Sequence, residues 1–181
     1  MFMMQAKTQL KSYAESGMSV EEVFTNANEK LCEGNDAGMF VTCWMGFLNV
    51  KTGVLTYANA GHNPPLIKQS DGQYVYLKSR AGFVLAGMEG IRYRKNELQL
   101  QPGDRIYLYT DGVTEAVNQD NELYGEARLQ DVLNSHMNVS AETVCNTVKA
   151  AVDTFAGEAE QFDDITMLSL AYYGRKKEGD V

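Results

Sequence analysis

Apolar and polar positions alternate with two different periods along the first half of the chain. Apolar residues recur at helical spacing from Phe2 to Tyr13, which predicts an amphipathic helix at the start. Ser19 with Glu22 three residues later forms a capping box, and this predicts a second helix through about Cys32. Two stretches with strand-like composition then surround glycine-containing turns. They predict β-hairpins over residues 40–60 and 66–78.

The second half of the chain mixes further strands with helices. Strands are predicted from Ile91 to Leu100 and from Arg105 to Thr110, with a turn at Gln101 to Asp104 between them. The polar stretch 113–125 predicts irregular structure. Helices are predicted over about 127–136 and over 140–156, the second one capped by Ser140. A last strand is predicted over residues 162–173.

Composition limits the class of protein. The chain has 181 residues, of which 44% are hydrophobic and 22% charged, as in an ordinary globular protein with a sizeable core. A net charge of -8 argues against nucleic acid or an anionic membrane as partner, since both require basic patches. Three widely spaced cysteines without a CxxC pair indicate neither a disulfide framework nor a zinc site, and a reducing cytoplasm fits best. No apolar run reaches membrane-spanning length.

Candidate chemistry centres on Asp111, where the strand from Arg105 to Thr110 ends. Gly112 follows at once, and a residue without a Cβ lets an ion or a phosphate approach closely. The same pair is also typical of an ordinary Asp-Gly turn. Asp163 and Asp164 lead into the last strand. If the two strands are antiparallel neighbours, all three acids lie at the same edge of one sheet.

Such an edge permits more than one chemistry. Carboxylate oxygens suit Mg²⁺ or Mn²⁺, and two such ions roughly 3.5–4 Å apart can activate a water for in-line displacement at phosphorus. A pair of carboxylates alone can also hydrolyse a glycoside or another ester. His62, in the loop ANAGHNPPL, is either a ligand or proton carrier, or it holds its loop by hydrogen bonds to the backbone.

Several motifs occur in an order and at a spacing that match a known family. They are MFVT at 39–42, AGHNPPL at 60–66, LYTDGVTEA at 108–116, LYG at 123–125 and FDDITML at 162–168. Together they resemble the SpoIIE-like, RsbU-type branch of the metal-dependent type-2C (PPM) serine/threonine protein phosphatases. The resemblance implies an α+β fold, an α-β-β-α sandwich of two antiparallel sheets flanked by helices, over residues 1–173. Residues 174–181 then form a polar tail.

The resemblance also implies an enzyme of bacterial signal transduction. Asp111 and Asp163 are then ligands of a binuclear Mn²⁺ or Mg²⁺ centre, and Asp164 beside them is a ligand or a supporting residue. A water activated by the metals, rather than a protein side chain, attacks phosphorus. Gly112, His62 and Asn63 belong to the supporting loops. The substrate is a phosphoserine or phosphothreonine protein, for example an anti-sigma-factor antagonist of a partner-switching system.

One motif of the family, GDVxGxG, is absent from this sequence. In the family it supplies an Asp that bridges the metals and lies just before a helix like the first one here. We therefore expect the chain to begin after that motif and to lack the first strands of the fold. The remaining chain is then expected to bind metal weakly and to dimerise through an exposed sheet edge. The alternative function is a non-catalytic regulatory or binding module of the same fold.

Overall fold

The computed structural model describes residues 2–161 and 163–175, which form two compact units. The first unit contains residues 2–62 and 79–99, and the second contains the described part of 63–78 and 100–181. Most of the polar tail predicted at 174–181 lies outside the described residues, as does residue 162, where the last strand was predicted to begin.

The first unit joins two helices to a three-stranded antiparallel sheet. The helices are α1 (Phe2–Glu15) and α2 (Val20–Cys32), and the sheet has the order β1-β2-β5. Its strands are β1 (Cys43–Leu48), β2 (Val54–Ala60) and β5 (Asn96–Gln99). Leu48 of β1 pairs with Leu55 of β2, so the predicted first hairpin is confirmed.

Local sequence signals explain the start of α2 better than the extent of β5. The Ser19 backbone N–H donates to Glu22 Oε2 at 2.9 Å, which confirms the predicted capping box. The predicted strand over 91–100 is too long, because only Asn96–Gln99 is a strand. These four residues pair with Val54 to Tyr57 of β2, and residues 91–95 have no place in that ladder.

A buried asparagine on α2 holds a loop of the first unit. Asn28 is fully buried, its Oδ1 accepts from the Ala86 N–H at 2.9 Å, and its Nδ2 donates to the Met88 carbonyl at 2.9 Å. Ala86 has a φ of +64°, a left-handed conformation that alanine rarely adopts. The hydrogen bonds of Asn28 hold the backbone in this conformation.

The second unit contains a four-stranded antiparallel sheet in the order β4-β3-β6-β7. Its strands are β3 (Leu66–Lys68), β4 (Tyr74–Tyr76), β6 (Arg105–Tyr109) and β7 (Met167–Ala171). Pairing of β3 with β4 confirms the second predicted hairpin. The α+β class with two antiparallel sheets is therefore confirmed.

Three helices accompany this sheet: α3 (Asp111–Thr114), α4 (Gly125–Ser135) and α5 (Ala141–Ala156). The two long ones were predicted, and Ser140 Oγ accepts from the Thr143 N–H at 3.1 Å as the cap of α5. The prediction of irregular structure from residue 113 was wrong at its start, where α3 follows β6 directly. Every helix in the described ranges is too short or too polar to span a membrane.

The core of the second unit packs one face of β6 against α4 and α5. Tyr107 and Tyr109 of β6 cluster with Leu129 of α4 and Val148 of α5, and all four are buried. Alternation along β6 thus places both tyrosines on the side of the helices, as its apolar pattern predicts. This packing includes Tyr109, the last residue of β6, so the strand is packed into the core up to the residue before Thr110.

Candidate active site

The end of β6 and the start of β7 lie at the same edge of the second sheet. These strands are antiparallel neighbours, with Tyr109 opposite Met167. Asp111 follows β6 after one further residue, and Asp163 and Asp164 precede β7. The strand pairing on which the sequence argument depended is therefore present.

Thr110 ties the two strand ends together. Its backbone N–H donates to the Thr166 carbonyl at 3.0 Å, and its hydroxyl accepts from the Thr166 N–H at 3.0 Å. The same hydroxyl donates to the Asp164 carbonyl at 3.0 Å. The Thr110 side chain thus positions the backbone of Asp164 near the end of β6, where Asp111 follows. From the sequence, Thr110 was predicted only as a strand residue, although a hydroxyl side chain directly before a candidate acid could have indicated this role.

Gly112 packs against the backbone of the other two acids. A Cβ at this position would lie 2.6 Å from the Asp164 carbonyl oxygen and 3.1 Å from its carbon. Such distances are far below van der Waals contact, so only glycine fits without a shift of the backbone. Gly112 was predicted to belong to a supporting loop, but it lies in the first turn of α3 and is buried. Its structural role is this close approach.

The three carboxylates are exposed to solvent at this edge. Asp111 Oδ1 accepts from the Gly112 N–H at 3.0 Å, and Asp163 Oδ1 accepts from the Asp164 N–H at 2.7 Å. These bonds orient two of the carboxylates and leave each with further acceptor positions, since an ionised carboxylate accepts about four hydrogen bonds. Oxygen donors of this kind fit a hard divalent cation that keeps part of its water shell. Among residues 2–161 and 163–175, however, no three His, Cys, Asp or Glu side chains converge as a metal cluster.

His62 and Asn63, the two candidate residues of the AGHNPPL loop, belong to different units. His62 belongs to the first, where its N–H donates to Asn59 Oδ1 at 2.8 Å and its carbonyl accepts from Asn59 Nδ2 at 2.9 Å. Its imidazole Nδ1 shares a hydrogen bond of 3.2 Å with the Thr42 hydroxyl. Asn59, which the sequence analysis missed, therefore holds the backbone of this loop.

Asn63 belongs to the second unit, where it neighbours the hydroxyl of Tyr109. Burial raises the pKa of Tyr109, and the neighbouring Tyr76 and Asn63 side chains act in the opposite direction. Asn63 therefore contacts Tyr109, the last residue of the strand β6. Tyr109 lies two residues before Asp111 in the chain.

Comparison with known proteins identifies the class of fold first. The structure resembles the SiaA-PP2C domain of Pseudomonas aeruginosa with a TM-score of 0.80 and 21% identity, over 94% of this chain and 68% of that chain. The chain therefore has the fold of type-2C phosphatase domains, as the motifs predicted.

Sequence comparison then gives the family. The model of the stage II sporulation protein E (SpoIIE) family matches residues 1–173, and the chain belongs to this family. It is 33% identical over 138 residues to protein IcfG of Synechocystis sp., covering 76% of this chain and 22% of that protein. It is 29% identical over 169 residues to phosphoserine phosphatase RsbU of Bacillus subtilis, covering 93% of this chain and 50% of that protein. The chain thus spans at most half the length of these relatives.

The close approach of Gly112 to the Asp164 carbonyl predicts that even substitution by alanine is unfavourable. Gly112→Ala is expected to lower the free energy of unfolding by about 1–3 kcal/mol, because the added methyl group must displace the backbone of Asp164. Chemical denaturation followed by circular dichroism measures this change. Gly72→Ala is the matched control, since its Cβ would meet its nearest neighbour at 3.8 Å, an ordinary contact. Equal stability of the two variants would contradict the close packing at Gly112.

Proposed function

We propose that this chain is the greater part of the catalytic domain of a metal-dependent protein phosphatase. The observation that carries the proposal is the sheet edge where Thr110 and Gly112 hold Asp111 beside the Asp163–Asp164 segment. Membership of the SpoIIE family supports it, as does similarity to a relative named phosphoserine phosphatase. The reaction is hydrolysis of phosphoserine or phosphothreonine in a protein.

In this proposal Asp111 and Asp163 are metal ligands, and Asp164 is a ligand or a supporting residue. Mn²⁺ or Mg²⁺, as a pair in the intact domain, supplies the Lewis acidity that activates water and stabilises charge at phosphorus. The chain's own contribution is orientation. The hydrogen bonds from Gly112 to Asp111 and from Asp164 to Asp163 fix one oxygen of each carboxylate, and Thr110 fixes the spacing of the two segments.

Ligands from outside the described residues are required to complete such a centre. The described residues hold no ready three-ligand cluster, and a pair of divalent cations requires more ligands than a single ion bound through one or two carboxylates and water. This supports the expectation that the 181-residue chain binds metal weakly. The same observation favours the second candidate function, a regulatory module of this fold without catalysis.

For the substrate we propose a phosphorylated signalling protein, such as an anti-sigma-factor antagonist in partner switching. Similarity over 93% of this chain to a relative named phosphoserine phosphatase RsbU supports a substrate that carries phosphoserine. We place the reaction in the cytoplasm, because Cys32, Cys43 and Cys145 are all free thiols, as in a reducing compartment. Burial raises the pKa of the Cys43 thiol to about 12, so this cysteine stays protonated and unreactive.

Substitution of Asp111 tests the enzymatic proposal. In the intact protein, Asp111→Asn is expected to lower Mn²⁺-dependent hydrolysis of p-nitrophenyl phosphate at least about 100-fold, because it removes a charged ligand. Asp120→Asn is the control, since Asp120 is also exposed and lies in the loop before α4. Unchanged turnover in Asp111→Asn would contradict the role of Asp111. Activity that survives EDTA would instead favour hydrolysis by two carboxylates alone.

A homodimer is a further proposal for the first unit. β1 is an edge strand of the sheet β1-β2-β5, and all six of its residues are half-buried. An edge with apolar side chains and unpaired backbone groups is a template for a second strand. Phe47→Lys in β1 is expected to shift a concentration-dependent dimer to monomer in sedimentation equilibrium, whereas Val50→Lys beyond the strand is not. A wild-type monomer at all concentrations would refute the dimer.

A further inference from the structure

A cleft in the second unit opens directly beside the candidate acids. It encloses about 410 Å³, and Gly112 and Asp163 form part of its wall. Val152, Asp153 and Ala156 from the last turns of α5 also line it. A group bound in this cleft therefore lies against Asp163, one of the residues proposed to hold the metals.

The lining of the cleft has an apolar floor and an acidic rim. The floor is formed by buried or half-buried aliphatic side chains, which are Ala116, Val117, Val152, Ala156, Ala159 and Ile165, and Leu123 adds a more exposed one. Glu115, Asp153 and Glu160 provide carboxylates at the rim, and no lysine or arginine is among the described lining residues. Leu123 is 54% exposed, and exposed apolar side chains rimmed by polar residues are typical of ligand-binding grooves.

Two of these carboxylates remain available to a partner. Asp153 forms an ion pair with Lys149 one turn earlier on α5. Glu115 and Glu160 are exposed, and neither forms an ion pair with another residue in the ranges that the structure describes. Glu115 and Glu160 therefore leave the rim with a net negative charge. In the proposed function, a phosphorylated segment approaches the same site.

We propose that this cleft binds a lysine or arginine side chain of the phosphoprotein substrate, a few residues from the phosphorylated position. The inference rests on the proposed function. Lysine and arginine combine an apolar stem with a cationic head, which matches an apolar floor below an acidic rim. Gly112 and Asp163 belong to the cleft itself. A short extended peptide, at about 3.3 Å per residue, therefore spans the distance between the phosphorylated position and the bound side chain. The cleft then selects substrates by charge.

The test compares phosphoserine peptides that differ at one position. In the intact protein, peptides with Lys near the phosphoserine are expected to exceed those with Glu about tenfold in kcat/KM, from attraction in one case and repulsion in the other. Glu160→Gln is expected to reduce this ratio to about threefold and to leave hydrolysis of p-nitrophenyl phosphate unchanged. Glu158→Gln removes the same charge two residues away, outside the cleft lining, and is expected to keep the tenfold ratio.

A binding measurement separates failure of this inference from failure of the proposed function. Fluorescence anisotropy with unphosphorylated Lys and Glu peptides, on the 181-residue chain, requires no catalysis. A preference for Lys that Glu160→Gln weakens and Glu158→Gln does not would support the cleft, even if no phosphatase activity were found. Equal binding and equal turnover of Lys and Glu peptides would overturn the cleft and leave the phosphatase proposal intact. Equal effects of Glu158→Gln and Glu160→Gln would also overturn it.

Discussion

The candidate site depends on how β6 and β7 are joined at their ends. The ladder between them continues past the last paired residues through the Thr110 hydrogen bonds to Thr166 and Asp164. Gly112 then allows the chain to turn into α3 while touching the Asp164 carbonyl. A larger residue at 112, or one without a hydroxyl at 110, would disturb one of these contacts with the Asp164 backbone. Backbone packing therefore sets the positions of the segments that carry the acids.

This arrangement also gives the edge a surplus of negative charge. Three carboxylates on two adjoining segments repel one another, and the chain as a whole carries a net charge of -8. Hydrogen bonds from Gly112 and Asp164 offset only part of that repulsion. A divalent cation, or the cationic head of a substrate side chain at the neighbouring rim, compensates it further. The proposed metal site and the proposed substrate cleft thus share one surplus of negative charge.

Local sequence patterns predicted most of the helices and strands, whereas contacts between residues far apart in the chain could not be predicted from them. Ser19, Ser140 and the turn glycines act within a few residues, so both caps and both hairpins could be predicted from the sequence. The length of β5 depends on which residues face β2, and that partner lies about forty positions away. The roles of Thr110 and Gly112 depend on a segment more than fifty residues downstream, so their types gave only a hint. Asp111 could be singled out as a candidate because strand end, acid and glycine are adjacent in the chain.

Diffraction from a crystal of the intact protein soaked in Mn²⁺ tests the central claim most directly. Anomalous scattering identifies manganese without reference to activity, and it locates the ion against the residues around it. We expect an anomalous peak within about 2.0–2.3 Å of carboxylate oxygens of Asp111 and Asp163, as for a small hard divalent cation. A manganese peak bound elsewhere, with Asp111 and Asp163 still hydrogen-bonded only to protein and water, would contradict it.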